Sequence, residues 1–256
     1  MQMIDQVTPH IRRITAPNPG PLTYHGTNTY IIGTDRPIIL DPGPDDDAHL
    51  QGILDVAPHP CAILVTHSHL DHSALVPRLR AHTGADVYAY GSSFAGRNHR
   101  NTYGANFPEG LGTDHDFRPD HLLKDGAIIP CDNQKIIAHW TPGHFSNHLC
   151  FEMGDVLFTG DLIMGWASTL IAAPEGNVLD FMGSCARLLQ LTPQFYMPGH
   201  GDVIANGKGR VQYLMAHRDV RRQQILDVLE QGPATSAQIT ERIYTDIPDP
   251  LIPVAQ

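Results

Sequence analysis

Residues 63–72 read Ile-Leu-Val-Thr-His-Ser-His-Leu-Asp-His. Four apolar or β-branched residues run straight into His67, His69, Asp71 and His72. The apolar part has the composition of a short buried strand. In extended chain, residues two apart face the same side, so His67 and His69 can grip one metal ion. Asp71 and His72 follow where the chain must turn, and residues 73–79 (Ser-Ala-Leu-Val-Pro-Arg-Leu) start a helix. From that turn the pair can reach a second ion nearby. Such a dense set of imidazoles and carboxylate suits a divalent metal.

Three further stretches repeat one pattern, an apolar strand, a Gly-containing turn and then a ligand-type side chain. Residues 135–144 deliver His144 after Thr-Pro-Gly, residues 156–161 deliver Asp161, and residues 195–200 deliver His200 after Pro-Gly. Glycine lets the backbone turn sharply enough to aim the next side chain inward. Together with His67, His69, Asp71 and His72 they make seven ligands, enough for two ions. Asp41 ends another apolar strand, before Pro42-Gly43. Two readings stand for it, a carboxylate that orients a metal ligand and a turn-forming aspartate. The chemistry would be hydrolysis. Metal binding lowers the pKa of water towards about 7, so a hydroxide shared by two ions can attack a carbonyl or a phosphorus at neutral pH. The ions would hold the developing oxyanion. Zinc suits His/Asp ligation best, and iron or manganese fit such sites as well.

The elements that must position these residues are short strands alternating with helices. Residues 1–60 form a β-rich opening, with strands over 29–33 and 37–41 and a hairpin turn at Thr34-Asp35. Residues 45–50 read as a solvated loop and helix N-cap. A helix over 75–82 closed by Thr83-Gly84 and a strand over 86–90 follow the central motif. This strand–helix–strand succession predicts an α/β layer. Residues 91–121 have no period and read as a long loop, either the wall or lid of a pocket or a plain insertion. In it Arg97, His99, Arg100 and His115 could touch an anionic substrate. Residues 122–160 return to short strands, and Trp166 and Leu170 offer apolar lining or core. The remaining histidines, His49 among them, show no ligand spacing.

Composition narrows the function. The chain has 256 residues and a net charge of −10, with 17 Lys and Arg against 27 Asp and Glu. A general polyanion binder would usually be basic. No apolar stretch approaches membrane-spanning length, and the N-terminus lacks a basic segment followed by an apolar run. The four cysteines, Cys61, Cys131, Cys150 and Cys185, form no Cys-x-x-Cys. They read as reduced thiols of a cytoplasmic protein. No membrane partner and no oligomeric state follow from these features.

The motif Thr66-His67-Ser68-His69-Leu70-Asp71-His72, with Asp41, His144, Asp161 and His200 in the same order, resembles the metallo-β-lactamase superfamily over roughly residues 20–205. The resemblance implies an αββα sandwich with the metals at one edge. It implies that His67, His69 and His144 hold one metal, that Asp71, His72 and His200 hold the other, and that Asp161 bridges them. Asp71 would also orient the hydroxide and accept its proton, and Asp161 would set the metal spacing. The complete Asp71-His72 pair is similar to the glyoxalase II, lactonase and nuclease branches, where His148 resembles an accessory position; an ordinary strand histidine is the other reading.

The domain organisation expected is a catalytic domain over 1–210 and a helical segment over 211–256. The latter resembles the winged-helix-like extension of the lactamase-like-protein-2 group, whose animal members are endoribonucleases, and looks incomplete. Residues 206–256 carry six Arg/Lys and six Asp/Glu, a balance that does not favour a nucleic-acid grip. The expected function is cleavage of an ester, thioester, lactone or lactam in a small molecule. The alternatives are an endoribonuclease or phosphodiesterase acting on single-stranded RNA and a non-hydrolytic metal-binding or redox protein.

Overall fold

A computed structural model describes residues 4–97 and 112–245. The chain divides into two compact units, Met1–Arg210 and Val211–Gln256.

The first unit holds two sheets. One takes its strands in chain order: β1 (Ile4–Thr8), β2 (Ile11–Thr15), β3 (Asn28–Ile32), β4 (Ile38–Leu40), β5 (Ala62–Leu64), β6 (Val87–Ala89) and β7 (His121–Leu122). Strands β1 to β4 are antiparallel neighbours, and β4, β5, β6 and β7 run parallel. The other sheet runs in reverse order from β12 (Phe195–Pro198) through β11 (Val156–Gly160), β10 (Leu149–Met153) and β9 (Gln134–Trp140) to β8 (Ile128–Cys131). Helix α1 (Asp47–Val56) links β4 to β5. Helices α2 (Leu70–Ser73) and α3 (Val76–Thr83) link β5 to β6, and α4 (Val178–Leu188) precedes β12.

The central strands are apolar throughout because both their faces are covered. Successive residues of a strand point to opposite sides. Ile32, Leu40 and Leu64 therefore face the second sheet and join Ile136, Phe151 and Phe158 in one core. Their neighbours Ile31, Ile39 and Ile63 face outward to Leu50 and Ile53 of α1 and Leu79 of α3. Each such side chain contributes about 2 kcal/mol of transfer free energy. Helix α4 buries Phe181, Ser184, Cys185 and Leu188, a spacing of one helical face. Its Phe181 packs where Gly143 leaves no room for a Cβ, which would lie 2.5 Å from the Phe181 Cα. Helices on both sheets and two sheets between them make the expected αββα sandwich.

Strand direction explains where the chemistry collects. Parallel β4 and β5 end at the same edge of their sheet. In the other sheet β11 and β12 are parallel, and β9 is antiparallel to β10, which is antiparallel to β11. Thus β9, β11 and β12 also end together. The residues that follow these five ends include Asp41, His67, His144, Asp161 and His200.

The second unit contains most of α5 (Gly207–Glu230) and α6 (Ser236–Ile243). Thr235 caps α6 in a reciprocal arrangement with Gln238. Arg221 donates to the Ile243 carbonyl at 3.2 Å and stacks on Tyr244. Among its described residues no strand occurs. No helix of the described residues is long and apolar enough to cross a membrane. All four cysteines are free thiols.

Candidate metal centre

Helix α2 begins earlier than the sequence suggests, so Asp71 and His72 ride on a helical turn rather than on a loop. That turn is held from behind by residues 112–114. Leu70 N–H donates to Gly112, Asp114 N–H donates to Ser68, and the Ser73 hydroxyl donates to the Asp114 carboxylate at 2.9 Å. Sequence reasoning did not single out Asp114, whose partners on this turn, Ser68 and Ser73, lie more than forty residues away.

Seven side chains converge at the strand ends. The His67 Nε2 and the His144 Nε2 each lie 3.0 Å from the His69 Nδ1. Asp161 stands beside this group, 3.7 Å from the His144 Nε2. Next to it, Asp71 Oδ2 lies 3.2 Å from the His200 Nε2 and 3.5 Å from the His72 Nε2. Asp161 touches this second group too, at 3.3 Å from His200 and 3.5 Å from His72. His67, His69, His144 and Asp161 form one set of ligand-type atoms, and Asp71, His72 and His200 form another.

The hydrogen bonds behind the rings decide which nitrogen faces inward. A carboxylate or carbonyl oxygen only accepts. The Nδ1–H of His72 therefore donates to Asp41 at 3.0 Å, that of His144 to the Leu170 carbonyl at 2.7 Å, and that of His200 to the Gly26 carbonyl at 3.2 Å. Thr66 spends its hydroxyl hydrogen on Asp41 at 2.7 Å, so its oxygen accepts from the His67 Nδ1–H at 3.0 Å. Each of these four rings thereby turns its Nε2 into the cluster, where it offers a lone pair once the ring is neutral.

This arrangement fits divalent metal. Inward-facing lone pairs cannot hydrogen-bond one another, and the His72 Nε2 and Asp161 Oδ1 are buried without a hydrogen-bond partner. Buried polar atoms are normally satisfied, and a cation would satisfy these acceptors together. Nitrogens around a tetrahedral zinc stand about 3.3 Å apart, close to the 3.0 Å separations of the imidazole group.

The two sets differ electrostatically. Burial, aided by repulsion from the neighbouring imidazoles, holds His67 well below the ordinary histidine pKa. The same causes bring His69 to about 3, and burial lowers His144. Burial also opposes charge on His72 and His200, but the carboxylates prevail. Asp71, Asp161 and Asp41 raise His72 well above the ordinary value, and Asp161 and Asp71 raise His200 to about 9. Burial opposes charge on Asp71, yet His72 and His200 hold it below the usual carboxylate range. The field that draws a proton onto these rings would equally draw a cation.

Other expectations resolve differently. Asp41 is buried and accepts from the Thr66 N–H, the Thr66 hydroxyl and His72, so it orients ligand-type residues as well as making the turn. His148 is buried, its Nδ1 lies 3.0 Å from the Thr141 hydroxyl, and its ring centroid stands 5.2 Å from that of His67. His49 is a satisfied core histidine against Thr29. Arg97 pairs with Glu175 at 2.7 Å, since a largely enclosed guanidinium needs a counter-charge. His115 lies beside Phe94. His99 and Arg100 fall outside the described residues. Trp166 stacks on Tyr24 at 4.9 Å, and the part of Leu170 that meets the centre is its carbonyl.

Residues 22–200 match the Metallo-beta-lactamase superfamily, and the chain belongs to that family of hydrolases. It is 29% identical to the Beta-lactamase-like protein 2 homolog of Drosophila melanogaster, over 98% of this chain and 86% of that protein. It is 28% identical to an Atrochrysone carboxyl ACP thioesterase of Aspergillus fumigatus, over 96% of this chain and 76% of that protein. A beta-lactamase domain protein from Burkholderia ambifaria has the same fold, with a TM-score of 0.79 and 20% identity over 98% of this chain and 84% of that one. A protein solved in a di-iron-bound form matches with a TM-score of 0.57 and 26% identity, over 80% of this chain and 96% of that one.

Proposed function

We propose that this enzyme is a dinuclear-metal hydrolase of small acyl compounds. His67, His69 and His144 would hold one divalent cation, Asp71, His72 and His200 the other, and Asp161 would lie between them. The observation that carries this reading is the convergence of seven ligand-type side chains, with the rings of His67, His72, His144 and His200 held so that Nε2 faces inward. Bound cations would supply Lewis acidity toward the scissile carbonyl and a water acidic enough to react near pH 7.

The protein's own contribution is orientation. Asp41, Thr66, Gly26 and Leu170 hold the rings before substrate arrives, so no reorganisation is needed at the moment of reaction. Asp71, with 27% of its side chain exposed against 9% for Asp161, faces the more open side. There its carboxylate would align the attacking water and accept its proton. Asp161, buried between the two groups, fixes their separation.

The bond is an ester, thioester, lactone or lactam. The net charge of −10 favours a compact substrate over a long polyanion. The relative named as an acyl-carrier-protein thioesterase favours the thioester among the four. Zinc is the cation that a His/Asp set suits best, with iron or manganese as alternatives.

A hydrolysis panel tests this. Metal-loaded protein is assayed on an acyl thioester, an acyl lactone, a β-lactam and single-stranded RNA, with the His69→Ala variant alongside. Turnover of an acyl substrate that vanishes in the variant is the expected result. RNA cleavage alone would replace the reading by the nuclease, and equal rates in parent and variant would remove the chemistry from this centre.

A further inference from the structure

We propose that Asn18 and Thr27 form a polar relay that locks Asp71 in its ligating position, with Thr27 a positioning residue for the second cation; this rests on the two-cation reading above. Thr27 is fully buried, and its hydroxyl sits between two polar side chains. The Asn18 side-chain amide donates to it at 3.0 Å, and the hydroxyl lies 3.2 Å from Asp71 Oδ2. The orientation of that amide is not arbitrary, because its oxygen accepts the Thr27 backbone N–H at 2.9 Å, leaving the nitrogen to face the hydroxyl. A hydroxyl carries a single hydrogen. With Asn18 already donating to the oxygen, that hydrogen is directed to Asp71.

The relay is built into the fold. Thr23 donates its hydroxyl to the Asn18 carbonyl at 2.6 Å, and the Ala16 N–H donates to the Thr27 carbonyl at 2.8 Å. Gly26, at φ 130°, lets the loop close this tightly, since a Cβ there would stand 2.0 Å from the Ala16 carbonyl oxygen and 3.0 Å from Asn18 Oδ1. The same short stretch steers His200. Its ring donates to the Gly26 carbonyl, Thr27 pairs with His200 as an isolated bridge, and the Asn28 amide donates to the carbonyls of Pro198 and Gly201. Residues 26–28 thus orient both Asp71 and His200. The imidazole group receives nothing from them.

The test is a zinc titration of the full chain, followed by equilibrium dialysis and metal analysis, on the parent, Thr27→Val and Thr27→Ser. The parent binds two ions. Thr27→Val, which removes the hydroxyl at nearly constant volume, keeps the first ion at parental affinity and binds the second about 10- to 100-fold more weakly. Thr27→Ser restores the second ion, which a role in packing alone would not do. Asn18→Asp serves as an independent variant should the valine protein not fold. It retains the acceptor for the Thr27 N–H but turns the donor into an acceptor that competes for the hydroxyl hydrogen. A new carboxylate would by charge alone tighten a cation, so weaker binding of the second ion supports the relay specifically. Unchanged affinity for the second ion in Thr27→Val, or tighter binding in Asn18→Asp, overturns the relay while leaving the two-cation reading intact. A parent that binds fewer than two ions overturns both.

Discussion

The two halves of the centre lie side by side and are built on opposite principles. The half formed by His67, His69 and His144 is all imidazole, and each of its rings is held below the ordinary histidine pKa. The half formed by Asp71, His72 and His200 contains a carboxylate, has Asp161 close to both rings, and raises both histidines. The first is neutral and ready for a metal at neutral pH. The second must give up protons to take one. Their supports differ as well, since the second depends on the 26–28 loop and the first on Thr66 and the Leu170 carbonyl. On the proposed reading the closed imidazole half anchors an ion and the more open, anionic half meets the substrate.

The harshest way to break the contrast is to remove the group the halves share. Asp161→Asn takes a charge from both, and kcat/KM should fall about a thousandfold, a loss of several kcal/mol of transition-state stabilisation. Steady-state kinetics on the best acyl substrate would show it. A smaller effect is expected from Gly199→Ala, which alters no ligand. Its Cβ would lie 2.5 Å from Asp161 Oδ1 and 2.7 Å from the His72 Cε1. Relieving those contacts by a shift of about 1 Å costs about a hundredfold in rate, and metal analysis should find the imidazole half still loaded. Asp41→Asn should act on both halves together, because Asp41 supports His72 directly and His67 through Thr66. Zinc affinity at both should drop about 10- to 100-fold, measurable by chelator competition.

How much of this could be read from sequence depends on how local each interaction is. The motif over residues 66–72 is local, so its ligand-type character was plain, and Pro-Gly turns marked His144 and His200. The strands flanking Thr34-Asp35 were equally legible, since apolar runs and a turn suffice to define a hairpin. Helix α4 went unremarked although Asn177 caps it and Phe181, Cys185 and Leu188 share a face. Its signal was present but carried no chemistry to draw the eye. The Asn18–Thr27–Asp71 relay and the Asp114 brace were not legible at all. Their members are polar residues of ordinary type, and only tertiary contact makes them partners. Arg97 is a similar case, since nothing local announces its Glu175 partner, far along the chain.

The direct test of two dissimilar halves is the pH dependence of cation binding. Chelator-stripped protein would be titrated with zinc at several pH values between about 7 and about 9. His67, His69 and His144 are already deprotonated across that range, so one ion should bind with an affinity that hardly changes. His200, raised to about 9, and His72 hold protons that a second ion must displace. Its affinity should therefore rise about tenfold per pH unit for each proton released, levelling off once the pH passes the histidine pKa. Two ions, one insensitive to pH and one tightening with it, is the predicted result. A single ion, or two ions with the same pH dependence, would contradict the account.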